Sequence, residues 1–181
     1  MNTSEVDKIL LPVVQEGVTL NEIPDKIVYY FSIGNCCNHC KNCHSYDVLG
    51  WNCNPIGPDK CLDYPQIIKK VLQAKEDGLD GVLLMGGTCN KGVTREMLIE
   101  LIKTLSLILP VYLYSGTEDT SLLKLNRLTG LKVGRYVEEL GGLDNPTTNQ
   151  IYYEWDNKLH KYTDCTYKFT AQASVTSKER K

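Results

Sequence analysis

The chain has 181 residues, 42% of them hydrophobic, which suits one domain with a packed core and excludes a disordered chain. Twenty Lys and Arg stand against 22 Asp and Glu, for a net charge of −2, so there is no basic surplus to neutralise a phosphate backbone and a nucleic-acid partner is not expected. The apolar run Ile9–Val14 is too short for an export signal, and no stretch nears the ~20 apolar residues of a bilayer span, so a cytoplasmic protein without a membrane partner is expected.

Residues 1–25 have weak periodicity and read as a leader segment ahead of a single domain over 26–181. Ile27–Ile33 is β-branched and aromatic and predicts a buried strand. From Gly34 to Leu62 runs a loop rich in Cys, Asn, Gly and Pro, a length that is uncommon unless something ties it down. Asp63 caps a helix, with Gln66 completing a capping box and Tyr64, Ile67, Ile68, Val71 and Leu72 on one face up to a stop at Gly78. Gly81–Met85 is a second buried strand, and Gly86-Gly87-Thr88 follows it. Thr94 caps a second helix with a stripe of Met97, Leu98, Leu101, Ile102, Leu105 and Ile108, ended by Pro110. Val111–Tyr114 is a third strand, ending at Ser115-Gly116, and a short helix is predicted around Thr120–Leu128. Beyond Leu131 the pattern loosens, with late strands expected at Ile151–Trp155 and Tyr162–Thr170. The alternation predicts an α/β fold with a mostly parallel sheet, whose ligands bind at the carboxyl ends of the strands. The cysteine loop, the glycine pair and Ser115-Gly116 each follow a strand end and should converge there.

Seven of the eight cysteines lie in the first half: Cys36, Cys37, Cys40, Cys43, Cys53, Cys61 and Cys89. That is the distribution of a local site, not of a disulfide framework. Cys36, Cys40 and Cys43 have the spacing CxxxCxxC. Thiolates are soft ligands, and three on a tight loop can hold three corners of an iron–sulfur cubane and leave the fourth iron open. Cys37 offers a second register, and zinc on Cys37, Cys40 and Cys43 with His44 or Cys53 satisfies the same spacing. Cys53, Cys61 and Cys89 are too widely spaced to suggest a second cluster and default to spare thiols. Two glycines directly after a buried strand let the backbone approach a ligand and expose its carbonyls and amides. No Ser/His/Asp or paired-carboxylate arrangement is evident, so no catalytic acid or base is assigned.

These residues resemble the radical S-adenosylmethionine family, and within it the activating enzymes of glycyl-radical proteins such as anaerobic ribonucleotide reductase. The likeness runs over roughly residues 18–155. It rests on Val18–Ile27 as the lead-in, on Cys36 through His44, on Met85-Gly86-Gly87, on Tyr112–Gly116, and on Gly141–Asn145 with Asn149-Gln150 as a closing segment. The chain departs from the family pattern at Thr88-Cys89, where an acidic residue is usual, and at Asn42, where an aromatic is common. The resemblance implies a partial (βα) barrel. It also implies a 4Fe–4S cluster on Cys36, Cys40 and Cys43, with S-adenosyl-L-methionine against Asn42, Cys43, His44, Gly86, Gly87 and Ser115. The implied partners are a large glycyl-radical reductase subunit and an electron donor such as flavodoxin. Two alternatives stay open: a related enzyme acting on a small molecule such as a pterin-derived precursor, and a zinc-stabilised interaction module.

Overall fold

A computed structural model describes residues 9–43 and 61–171. His44, Cys53 and the basic end 178–181 lie outside the described residues. The elements run β1 (Leu10–Leu11), β2 (Val13–Thr19), β3 (Val28–Ile33), β4 (Leu62–Asp63), α1 (Tyr64–Glu76), β5 (Gly81–Met85), α2 (Arg95–Leu105), β6 (Val111–Tyr114), β7 (Gly130–Val133), β8 (Ile151–Asp156) and β9 (Lys161–Asp164).

Seven strands form one sheet in the order β2-β3-β5-β6-β7-β8-β9, and β1 pairs with β4 in a separate antiparallel ribbon. The fold is α/β. The centre β3-β5-β6-β7 is parallel, and β2, β8 and β9 add antiparallel flanks, so the expected mostly parallel sheet is parallel in its middle and mixed overall. Residues 13–19, expected as leader, are the edge strand β2, paired with β3 through a bulge between Val13 and Gln15. No helix among the described residues is long and apolar enough to cross a membrane.

Both capping expectations hold. Asp63 accepts from Gln66 N, while the Gln66 side chain accepts from Asp63 N, and Thr94 accepts from Met97 N. Each cap answers amides that the first helical turn leaves without partners. The face of α1 is turned slightly from expectation: Ile67, Val71 and Ala74 are buried, while Leu72 is 46% exposed. The helix expected around Thr120–Leu128 is a five-residue 3-10 turn, Ser121–Leu125, ended by Asn126 in the left-handed region. Residues 167–171 are helical where a strand was expected to continue.

Side chains alternate across a strand, so each central strand feeds two layers. One layer joins Phe31, Ile33, Val82, Leu84, Val111, Leu113, Leu131 and Val133 to the buried stripes of both helices. The other holds Val28, Leu83, Tyr112, Tyr152 and Phe169. Both helices therefore lie on one face. That is the result of right-handed crossovers along strands stacked in chain order. Along β8, Tyr152 belongs to this second layer and packs edge-on to Phe169, Tyr153 packs against the helix-side layer, and Trp155 packs edge-on to Tyr162.

Gly130 marks the tightest packing here. A Cβ on it would lie 2.7 Å from Tyr152 Cζ and overlap the hydroxyl beyond. That hydroxyl is buried and has no hydrogen-bond partner among the described residues. Gly130→Ala should cost about 2–3 kcal/mol through overpacking. Tyr152→Phe should be neutral or stabilising by about 1 kcal/mol, because an unsatisfied group is removed. The double variant should recover most of the glycine loss, a coupling readable from urea-unfolding midpoints.

Candidate functional site

The loops after the four parallel strands meet at the carboxyl edge of the sheet. After β3 the chain forms an isolated antiparallel bridge, Cys36 to Asn90, with the segment after β5. Cys37 N donates to Cys89 O at 3.0 Å and Lys91 N to Asn35 O at 2.8 Å. Asn90 is the knot between them. Its amide donates to Ile33 O (2.8 Å) and Gly34 O (2.7 Å), and its oxygen accepts from Gly87 N (2.7 Å), all buried. Asn38 reaches the loop after β6, donating to Gly116 O at 2.6 Å. The convergence expected from strand order is present.

Gly86 and Gly87 have φ of +110° and +100°, a region that side-chain-bearing residues rarely enter. A Cβ on Gly86 would crowd the Asn90 amide at 3.2 Å. The pair lets the chain turn sharply off β5 and hand its amide to Asn90.

Beneath these loops lies a cavity of about 470 Å³, within the ~300–1,000 Å³ range of small-molecule sites. Cys36, Cys40 and Cys43 line it from the β3 loop, Gly86 and Asn90 from the β5 side, and Tyr114 and Gly116 from β6 and its loop. Lys132 and Gly134 come from β7 and its end, and Gly142, Leu143 and Asp144 from the closing segment. Lys132 is the one cation among the described residues lining it. In β7 its neighbours Leu131 and Val133 face the helices, so the pleat turns Lys132 the other way, into the cavity. Its ammonium stands 5.4 Å from the centre of the Tyr114 ring. Burial pushes its pKa down to about 8, opposed by the Cys43 and Cys40 thiols. Tyr114 is fixed in turn by a hydrogen bond from its hydroxyl to Glu22 O.

The chain matches no protein-family model, no curated protein and no solved structure.

The residues singled out from sequence separate into two groups. Cys36, Cys40 and Cys43, expected as cluster ligands, line the cavity together with Gly86. Gly87 lies behind Gly86, against Ile33 and Leu98. Ser115 is fully buried and spends its hydroxyl on Thr88 Oγ1 (3.0 Å) and Thr117 Oγ1 (2.9 Å). Asn42 sits on the rim in the left-handed region and donates to Glu138. Glu138 also pairs with Lys41 at 2.6 Å, and these two bonds hold its carboxyl below the usual carboxylate range. They strap the cysteine loop to the segment after β7.

Soft thiols lining one cavity beside a cation fit an anionic iron–sulfur cluster in chemistry. Among the described residues, however, no three His, Cys, Asp or Glu side chains are already gathered closely enough to share a metal ion. Cys36 is turned toward Cys89, with the two sulfurs 4.0 Å apart. The hydrogen bond between them pulls the Cys89 thiol down to about 7 and pushes Cys36 up. The three thiols line one cavity without being gathered around a common point.

Asn90, Lys132 and Glu138 escaped the sequence reading, and Cys89, read there as a spare thiol, lies against Cys36. Lys132 had a signal, a single charge inside the apolar strand Leu131-Lys132-Val133. Asn90 had none, since an asparagine after a glycine turn reads as a turn residue.

Proposed function

We propose that the chain is a radical S-adenosylmethionine enzyme, holding a 4Fe–4S cluster through Cys36, Cys40 and Cys43. The observation that carries this is one cavity lined by all three cysteines, Gly86 and Lys132, at the carboxyl ends of four parallel strands. The order β3-β5-β6-β7, with both helices on one face, supports an open barrel of βα units as its frame.

When bound, the cluster supplies the electron that cleaves S-adenosylmethionine to methionine and a 5′-deoxyadenosyl radical. The chain's own residues bind, orient and shield. Lys132 offers an ammonium to the methionine carboxylate, and that pairing offsets the cost of holding the cation away from water. Gly86 brings backbone close to the ligand without a Cβ in the way. Asn90 fixes the glycine turn against the start of the cysteine loop. The Lys41–Glu138 and Asn42–Glu138 bonds tether the cysteine loop to the segment after β7.

The resemblance to glycyl-radical activases supplies the substrate: a backbone glycine of a large reductase subunit, reached with an electron donor such as flavodoxin. Anaerobic incubation with S-adenosylmethionine and a strong reductant should yield 5′-deoxyadenosine, and addition of the reductase should yield a protein glycyl radical by electron paramagnetic resonance. Formation of 5′-deoxyadenosine with no protein radical would move the reading to a small-molecule substrate. Absence of 5′-deoxyadenosine from iron-loaded protein would end it.

One observation favours a second reading. Two thiolates on a tetrahedral zinc with ~2.3 Å bonds lie roughly 3.8 Å apart, close to the 4.0 Å between Cys36 and Cys89. Under that reading Cys89 is a zinc ligand and the module is structural.

A further inference from the structure

We propose that Cys36 and Cys89 form a reversible disulfide in the metal-free protein, withdrawing Cys36 from metal binding until it is reduced. The two sulfurs are 4.0 Å apart and both thiols are half-buried. Their backbones are already pinned as neighbours, by the Cys36–Asn90 bridge and the Cys37 N to Cys89 O bond. Asn90, locked by three buried hydrogen bonds, keeps that approach fixed. Cys89 directly precedes Asn90, the residue paired with Cys36, so the two cysteines sit one position off a direct antiparallel pair. Side-chain rotation closes the rest. The neighbouring alternative is poorer: Cys37 is exposed and its thiol is directed at Asn35 O, 3.9 Å away.

The chemistry balances with a peroxide as oxidant. One thiol is oxidised by hydrogen peroxide to a sulfenic acid, with release of one water. The second thiol then attacks that sulfur, forming the S–S bond and releasing a second water. Two electrons pass from the thiol pair to the peroxide. A dithiol reductant reverses the step by exchange. Because Cys36 is a cluster ligand in the proposed function, this consequence for loading rests on that reading, whereas the bond itself does not.

The test uses the full chain purified free of metal, treated with hydrogen peroxide, alkylated and mapped without reduction. The expected result is loss of two hydrogens per chain and one linked peptide pair joining Cys36 to Cys89, absent from Cys89→Ser. Iron uptake after oxidation should fall severalfold in the wild type, recover with dithiothreitol, and be unaffected by peroxide in Cys89→Ser. No linked pair, or a link from Cys36 to a different cysteine, overturns the proposal. If neither form takes up iron under any condition, the cluster reading fails while the peptide map still decides the disulfide.

Discussion

Replacing Asn90 with alanine is expected to destabilise the protein by about 3–5 kcal/mol and to abolish metal loading. Three buried groups lose their partner together: Gly87 N–H, Ile33 C=O and Gly34 C=O. Each orphaned group costs about 1–3 kcal/mol, and the three form one network, so the loss exceeds that of an ordinary surface change. Asn90→Asp is the sharper comparison. It keeps the acceptor for Gly87 but sets a carboxylate against two carbonyl oxygens, and should be at least as damaging as alanine. Urea-unfolding midpoints decide this. A loss under 1 kcal/mol for Asn90→Ala would mean that the loops are held by something else.

Lys132→Met should do the reverse: leave stability unchanged or slightly raised, and weaken S-adenosylmethionine binding by about 10- to 100-fold. A half-buried ammonium with a depressed pKa is a stability cost in the empty site, so its removal relieves desolvation. In the proposed function the same charge would pair with the methionine carboxylate, and a charged hydrogen bond is worth about 1.5–3 kcal/mol. Equilibrium binding of S-adenosylmethionine to iron-loaded protein, set beside thermal unfolding of the empty form, separates the two effects. Destabilisation with unchanged binding would assign Lys132 a structural role through its contact with the Tyr114 ring.

The two predictions also mark where sequence reading stopped. Local signals were legible. The Asp63–Gln66 box and the Thr94 cap are written in neighbouring residues, and the strands at 28–33, 81–85 and 111–114 are continuous apolar runs. Elements defined by their partners were not. β2 carries Gln15, Glu16 and Gly17 and a bulge that breaks its alternation, so its period is lost. β7 is four residues long with a glycine and a lysine among them, too short for any period to emerge. At the site, the cysteines and the glycine pair were visible because their chemistry is rare and closely spaced. Asn90 acts on Ile33 and Gly34, 57 and 56 residues away, and Cys89 acts on a thiol 53 residues away. Such roles exist only once the crossover is folded. The same contact, Cys36 to Cys89, is what a family pattern without a cysteine at that position could not suggest.

The cluster proposal is met most directly by elemental analysis of the protein purified without oxygen. It predicts about four iron and four sulfide per chain, lost together with the brown colour in Cys40→Ala. One zinc per chain with neither iron nor sulfide would contradict it and leave the zinc-bound module standing.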